Sequence, residues 1–297
     1  MRTMTRQQRI SETGPTSGTS GGGQGAGIAL MLGSSSSNMV GAAIGSMAFP
    51  VLGPTGVVAV RQWTAAVLLL IAGRPRLREF TASQWRAVLL FSAAFALMNL
   101  ALYGAIDRIG LGLAATLEFL GPLAVALVSS RRLLDLGCAV LAAAGVVALT
   151  RPEPSSDYLG IGLGLLAAAF WASYILLSRS VGRQLPGAEG SAAAAGVSGL
   201  VFLPIGILLL LHHPPTAPAL GCAVAAGVLS SVVPFLADML ALRRVPARFF
   251  GIFMSVNPVL AAAAGAVLLG ERPDLVEWLS IGAIVLANVV SVVSKER

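Results

Sequence analysis

Long apolar stretches, separated by short polar or charged segments, make up almost all of the chain after residue 26. Ten of these stretches approach the roughly 20 residues that a helix needs to cross the hydrocarbon core of a bilayer. They cover residues 27–49, 56–72, 85–106, 110–129, 133–150, 159–178, 190–211, 219–242, 249–270 and 275–293. The alternation of apolar and polar residues that is typical of a membrane β-barrel is missing from them. The pattern predicts an all-α integral membrane protein with ten transmembrane helices.

Composition supports this class and argues against several others. The 297 residues are 56% hydrophobic and only 11% charged, which is too apolar for a soluble domain of this length. P-loop, HExxH, GxSxG and CxxC patterns are absent from the sequence, so the usual signatures of ATPases, proteases and hydrolases are missing. We therefore predict no catalytic residue, no metal ion, no cofactor and no enzyme activity.

The distribution of the 20 basic residues predicts an orientation. Most lie in alternate segments between spans, whereas only Arg108, Arg151 and Arg272 lie in the segments on the opposite side and Arg61 lies within a span. Basic residues are enriched in cytoplasmic loops, so both termini are predicted to be cytoplasmic. The net charge of +7 is explained by this orientation, and no basic patch for nucleic acid is indicated.

The first 26 residues are polar and rich in Gly, Ser and Thr, which predicts a disordered cytoplasmic tail. A cleaved signal peptide is the alternative. It is disfavoured because Glu12, Pro15 and a run of glycines separate the basic residues from the first apolar span.

The chain also contains a weak internal repeat. Residues 106–122 align without gaps on residues 242–258, so that Arg108 meets Arg244 and Pro122 meets Pro258. In the predicted orientation the two copies enter the membrane from opposite sides. Residues 27–150 and 159–293 are therefore predicted to be two inverted five-helix repeats, an architecture of transporters whose sites lie near the midplane at broken helices.

Glu118 is the strongest functional candidate, because it lies in an apolar span one helical turn before Pro122. An ionised carboxylate within a membrane is energetically costly unless it is paired or hydrated. Acidic residues within transmembrane spans therefore usually have a functional role. This carboxyl could bind and release a proton as its surroundings alternate between closed and hydrated. The alternative is a structural ion pair with Arg61.

Two other charged residues lie within predicted spans. Arg61 could reach the membrane interface with its long side chain, or it could hold Glu118 or a substrate carboxylate. Asp238 follows Pro234 by one turn and could be a second acid of the pathway, or it could pair with the arginines just after it.

Uncharged polar groups complete the candidate site. Pro122 and Pro258 each interrupt a span and free a carbonyl group one turn earlier. The polar stripe of the first span should face a cavity or another helix, and side chains of the third and ninth spans could line the same cavity. The candidate substrate-binding residues are Ser37, Asn38, Asn99, Tyr103 and Asn257.

Several segments resemble a known family. ATLEFLGPLAVALVSSRR (115–132), RVPARFFGIFMSVNPVLAAAAGAVLLGE (244–271), FPVLGPTGVVAVR (49–61) and AAFWASYILLSR (168–179) resemble the EamA family of the drug/metabolite transporter superfamily. The similarity is closest to its bacterial inner-membrane threonine and homoserine exporters. The resemblance implies ten helices in two inverted repeats, a central cavity, and export of small amino acids driven by the proton gradient.

The chain departs from the family pattern at two positions. The family has Glu where Asp238 stands, and Glu immediately before the proline of the second half, where this chain has Asn257. Because Asn cannot ionise, the proton stoichiometry or the substrate could differ here.

The resulting hypothesis is a proton-coupled exporter of small amino acids in the bacterial inner membrane. Its partners would be the amino-acid substrate, protons and the lipid bilayer, with no nucleic acid and no oligomeric state specified. The alternatives are an exporter of other metabolites or drugs, an uncoupled facilitator or channel of the same fold, and a membrane scaffold or sensor.

Overall fold

The computed structural model describes residues 21–128, 133–150, 157–185, 188–212, 214–242 and 256–294. Within these ranges the regular secondary structure is entirely helical. The first half contains α1 (Gly21–Ser46), α2 (Phe49–Gly73), α3 (Ala82–Ile109), α4 (Leu111–Glu118), α5 (Leu120–Val128) and α6 (Leu133–Thr150). The second half contains α7 (Tyr158–Gln184), α8 (Glu189–His212), α9 (Ala217–Gly227), α10 (Val233–Leu242), α11 (Asn257–Ala264) and α12 (Leu275–Ser294).

Three short segments join these helices. A 3₁₀ turn, Leu77–Glu79, lies between α2 and α3, and π-helical segments cover Val228–Val232 and Gly265–Leu269. Each of the ten predicted spans overlaps a helix, although the structure describes the ninth only from residue 256 onwards. The all-α prediction is therefore confirmed for the described part of the chain.

Among the residues that the structure describes, five helical stretches are long and apolar enough to cross a membrane. They are Phe49–Gly73, Ala82–Ile109, Tyr158–Gln184, Glu189–His212 and Ala217–Ala237. Large apolar side chains point outwards from them, as with Leu200 at 69% and Val67 at 57% exposure. Since a soluble protein rarely exposes so many, these surfaces are suited to lipid.

Helix α1 begins at Gly21, inside the segment predicted to be a polar tail, whose first 20 residues lie outside the described part. Hydropathy detects the part of a helix that suits the membrane, whereas backbone hydrogen bonding can continue beyond it. The helical boundary therefore precedes the hydropathy boundary.

The helices of the two halves pack against one another. α2 lies against α8, α3 against α7, α4 against α11, and α6 against α12, while α1 packs along α9 and α10. The main buried cluster contains residues of α1, α2, α3, α4, α8, α9 and α11, with Tyr103 and Leu111 among its largest side chains. This interior contains the polar residues described below.

Helix α2 is kinked at Gly53, which has φ +64° and ψ 164° and is followed by Pro54. A residue before proline avoids the helical conformation, and this positive φ is accessible almost only to glycine. The prediction began the second span after Gly53 and Pro54, at residue 56, whereas α2 begins at Phe49 because helix continues on both sides of the kink.

Candidate functional site

The helix that carries Glu118 is broken directly after it. Glu118 is the last residue of α4, Phe119 forms a turn, and α5 begins at Leu120. Pro122 has no N–H to donate to the Glu118 carbonyl, so the regular bonding of the helix is interrupted here. Glu118 is only 6% exposed, and α4 packs against α3, α7 and α11. The carboxyl therefore lies inside the helical bundle.

Arg61 is also buried, with 5% exposure, so the alternative in which it extends to the membrane interface is wrong. Its Nη2 donates to the Ser230 carbonyl at 3.0 Å, and its Nε donates to Ser231 Oγ at 3.2 Å. Pro234 has no N–H and cannot supply the helical hydrogen bond to the Ser230 carbonyl. The guanidinium of α2 thus supplies a donor that the π-helical segment lacks.

Arg61 also lies over the ring of Tyr103, with Cζ 5.1 Å from the ring centroid. The edge of Phe49 packs against that ring at 5.8 Å between centroids. Tyr103 is fully buried, and its hydroxyl has no hydrogen-bond partner among the described residues. One turn earlier, Asn99 donates through Nδ2 to the Phe95 carbonyl at 2.7 Å, while its Oδ1 has no partner in the described part of the chain. Both side chains retain unused hydrogen-bonding capacity in the interior.

Arg61 and Glu118 interact electrostatically, but they form no ion pair within 4.0 Å in the part of the chain that the structure describes. The alternative of a close structural pair is therefore not supported. A basic and an acidic side chain thus lie in the buried interior without a direct bond between them, and ionisable groups inside a membrane bundle usually have a functional role.

The polar stripe of α1 faces the π-helical segment. Ser37 Oγ donates to the Leu229 carbonyl at 2.8 Å, and Ser230 Oγ donates to the Asn38 carbonyl at 2.8 Å. Asn38 takes part in this bond through its backbone. The stripe therefore packs on another helix, one of the two environments predicted for it, and it supports the segment that Arg61 binds.

A cavity of about 300 Å³ borders the hydrogen-bond partners of Arg61. It lies between α2, α3, α7, α8 and α10, and its polar lining comes from Ser191, Ser230, Ser231 and Tyr174. Stacking of Phe91 on Tyr174, with 4.6 Å between ring centroids, forms part of its wall. Ser230, Ser231 and Tyr174 were not among the predicted site residues. The available signal was the serine four residues before Pro234, whose carbonyl needs another donor.

The remaining predicted residues are more scattered. Asn257 is buried, with 3% exposure, at the start of α11, and Pro258 occupies the first turn of that helix, where proline is tolerated. Asp238 lies in α10, but its side chain is outside the described part of the chain. Among the residues that the structure describes, no three His, Cys, Asp or Glu side chains come together as a metal site.

Comparison with known proteins identifies the family. The model of the EamA-like transporter family matches residues 158–293. The chain is 36% identical over 276 residues to the threonine/homoserine exporter RhtA of Escherichia coli (strain K12), covering 91% of this chain and 92% of that protein. This chain belongs to the EamA family. It is therefore a membrane transporter and not an enzyme.

Other matches agree with this assignment. The RhtA protein of Salmonella typhimurium (strain LT2) is also 36% identical over 276 residues, with the same coverage of 91% and 92%. The uncharacterised inner membrane transporter YedA of Escherichia coli (strain K12) is 26% identical over 163 residues, which cover 47% of this EamA chain and 53% of YedA. One crystal structure superposes with a TM-score of 0.60 over 93% of this chain and 99% of the other; at 20% identity it shows the fold alone.

Proposed function

We propose that this EamA protein exports small amino acids, such as threonine or homoserine, across the bacterial inner membrane in exchange for protons. The observation that carries the proposal is the burial of a basic side chain, Arg61, and an acidic one, Glu118, within one helical interior. A zwitterionic amino acid needs a cation for its carboxylate and an anion for its ammonium group. The RhtA proteins, with 36% identity over nearly their whole length, supply the proposed substrate class.

The proposed architecture is two inverted repeats of five spans, residues 27–150 and 159–293, with α4 and α5 counted as one span and α9 and α10 as another. If the two repeats are exchanged, each span takes the place of its counterpart five spans away. The α3–α7 contact then corresponds to α10–α1, the α4–α7 contact to α11–α1, and the α3–α8 contact to α9–α2. All six of these contacts are present. Their pairing supports a pseudo-twofold axis, about which alternating access can occur.

Substrate would enter through the 300 Å³ cavity, whose volume is at the small end of ligand pockets. Its carboxylate would replace Ser231 and the Ser230 carbonyl as partners of Arg61, because a planar guanidinium binds a carboxylate with two parallel hydrogen bonds. Asn99, Tyr103 and Asn257 would contact the remaining polar groups, and Ser37 and Asn38 would hold the π-helical segment in place.

Coupling would come from mutually exclusive binding at Glu118. In this mechanism the carboxyl binds either a proton or the substrate ammonium, so substrate leaves as a proton enters. Moving one charge across the membrane is worth about 2.3 kcal/mol per 100 mV. Asn257 cannot take a proton, so in this proposal Glu118 is the principal coupling acid and Asp238 is the second candidate. The pattern of basic residues supports cytoplasmic termini.

The test is transport by purified protein in proteoliposomes. Labelled threonine or homoserine should move faster with a pH gradient than without one, and Glu118→Gln should abolish this acceleration. Asp107→Asn, which changes an exposed acid of α3, is the matched control and should behave as wild type. Gradient-driven transport by Glu118→Gln would exclude the coupling role.

The alternatives predict other results in the same assay. An uncoupled facilitator would equilibrate threonine at the same rate with and without the gradient. An exporter of other metabolites is the second candidate, because Asn257 stands where the family resemblance implies Glu. Such an exporter would respond to the gradient only with another member of a substrate panel. A scaffold or sensor would transport nothing.

A further inference from the structure

A second cavity, distinct from the one that Ser230 and Ser231 line, opens on the outer surface of the helical bundle. This groove has a volume of about 300 Å³ and lies between α2 and α8, beside the start of α3. The residues that line it are all apolar or aromatic: Trp63, Ala66, Val67, Leu70, Leu77, Trp85, Ala193, Gly196, Val197, Gly199, Leu200 and Leu203. Val67 and Leu200 are 57% and 69% exposed, so the groove faces the surroundings of the bundle, which in a membrane are acyl chains.

One end of the groove is strongly basic. Leu77 lies between Arg76 and Arg78 in the α2–α3 connection, and Trp85 precedes Arg86. The four arginines of this region, Arg74, Arg76, Arg78 and Arg86, are all exposed. Its one acid, Glu79, forms an ion pair with Arg76 at 3.6 Å, with both side chains about 70% exposed, and such surface pairs are weak. Positive charge therefore remains available beside an apolar groove.

We propose that this groove binds one acyl chain of an anionic phospholipid, whose phosphate is bound by Arg76 and Arg78. The groove offers apolar surface to the chain. Trp85 lines it directly before Arg86 in the sequence, and tryptophan is enriched where proteins meet the membrane interface. The excess of arginine selects a lipid with net negative charge over a zwitterionic one, because basic pockets between helices bind anionic head groups.

Lipid selectivity tests the proposal directly. The purified transporter should bind phosphatidylglycerol more tightly than phosphatidylethanolamine with the same acyl chains, as measured by native mass spectrometry in detergent. Replacing both arginines, Arg76→Gln with Arg78→Gln, should weaken phosphatidylglycerol binding about thirtyfold, since each such charge near a membrane surface is worth about 1 kcal/mol. These side chains are exposed, so the variant should fold.

Two controls separate a specific site from general surface charge. Arg76 and Arg78 flank the lining residue Leu77, whereas α7 contributes no residue to the groove. Arg179→Gln with Arg183→Gln removes two exposed arginines of α7, and it should retain full binding. Equal loss in this control would overturn the proposal. Glycerol 3-phosphate carries the phosphate without acyl chains and should not compete, whereas effective competition would indicate a site for free phosphate and would overturn the acyl-chain assignment.

The groove itself is tested by a matched pair on α8. Leu200→Trp places a large side chain at the groove lining and should reduce phosphatidylglycerol binding. Leu208→Trp changes a residue of similar exposure, 57%, that does not line the groove, and it should have no effect. Unchanged binding by Leu200→Trp, or equal loss in both variants, would show that the lipid binds elsewhere.

Discussion

Glu271 accepts hydrogen bonds from the backbone N–H of Leu111 at 2.6 Å and of Gly112 at 3.2 Å, and so caps the N-terminus of α4. The first N–H groups of a helix have no partner within it, and a carboxylate there also complements the helix dipole. A side chain at Gly265 would collide with the Glu271 carboxylate. The second half of the chain thus anchors the helix that ends at Glu118.

Removal of this cap should destabilise the protein and disturb Glu118. Glu271→Ala should lower the free energy of unfolding by about 1–2 kcal/mol and slow substrate exchange, because α4 loses its anchor. Glu271→Gln, which keeps an acceptor but no charge, should be intermediate. Thermal unfolding in detergent and exchange in proteoliposomes measure the two effects.

The matched control for Glu271 is Glu277→Ala. Glu277 forms a local capping pair with Asp274 at the start of α12, with hydrogen bonds of 2.9 and 3.0 Å. Loss of the Glu277 side chain should have little effect on substrate exchange. An equal loss of exchange in both variants would mean that capping of α4 by Glu271 has no special effect on transport.

Arg61→Lys tests whether the planar guanidinium is needed. Lysine keeps the charge, but it cannot donate in parallel to the Ser230 carbonyl and Ser231 Oγ, and it stacks less well on Tyr103. We expect the KM for the amino acid to rise about tenfold or more, which corresponds to about 1.4 kcal/mol. Initial rates of exchange over a range of substrate concentrations measure this change.

Ser231→Ala is the control for Arg61→Lys. It removes only the 3.2 Å bond to Nε and leaves the guanidinium free to bind a carboxylate, so its KM should rise less or fall. A wild-type KM in Arg61→Lys would remove Arg61 from substrate binding.

Much of the fold could be predicted from local sequence. Hydropathy located the helices, and Pro122 indicated the break after Glu118, because both depend on residues within one helical turn. Whether the Arg61 side chain lies in the interior or extends to the membrane interface could not be predicted in this way. A side chain one turn inside a span can extend to the interface or bind in the interior, and the outcome depends on which helix packs beside it.

The contacts of the site were the least predictable part. Arg61 bonds to residues of a helix far along the chain, and Glu271 caps a helix of the other half. Nothing in the neighbouring sequence specifies these pairs. The sequence does show which backbone groups lack a local hydrogen-bond partner. Pro234 cannot donate to the Ser230 carbonyl, and Gly110 has no side chain to cap the start of α4.

The kink in α2 predicts a strong effect of one small substitution. Gly53→Ala should destabilise the protein by about 1–3 kcal/mol, because a residue with a side chain is strained at φ +64° and ψ 164°. Gly162→Ala in α7 is the control, since a Cβ at that helical position meets no atom within 4 Å and alanine favours helix. Thermal unfolding in detergent should show a loss only for Gly53→Ala, and equal stability of both variants would contradict the strain.

Asp157 predicts a pH dependence at the start of α7. Its Oδ1 accepts from the Gly160 N–H at 2.9 Å, and its Oδ2 lies 2.9 Å from Nε of Arg108. These interactions, first the backbone hydrogen bond and then the one from Arg108, hold the pKa of the Asp157 carboxyl below its usual range. Because the pKa is lower in the folded protein, the stabilisation is complete above about pH 4 and is lost as the pH falls through the folded value.

Two substitutions separate the cap from the charge. Asp157→Asn keeps an acceptor for the Gly160 N–H but loses the charge that Arg108 pairs with, whereas Asp157→Ala loses both. At neutral pH the melting temperature should therefore fall in the order wild type, Asn variant, Ala variant. At about pH 3 the difference between wild type and Asp157→Asn should shrink, since the wild-type carboxyl begins to protonate. A difference that stays constant across this range would show that the ionised carboxylate of Asp157 does not stabilise α7.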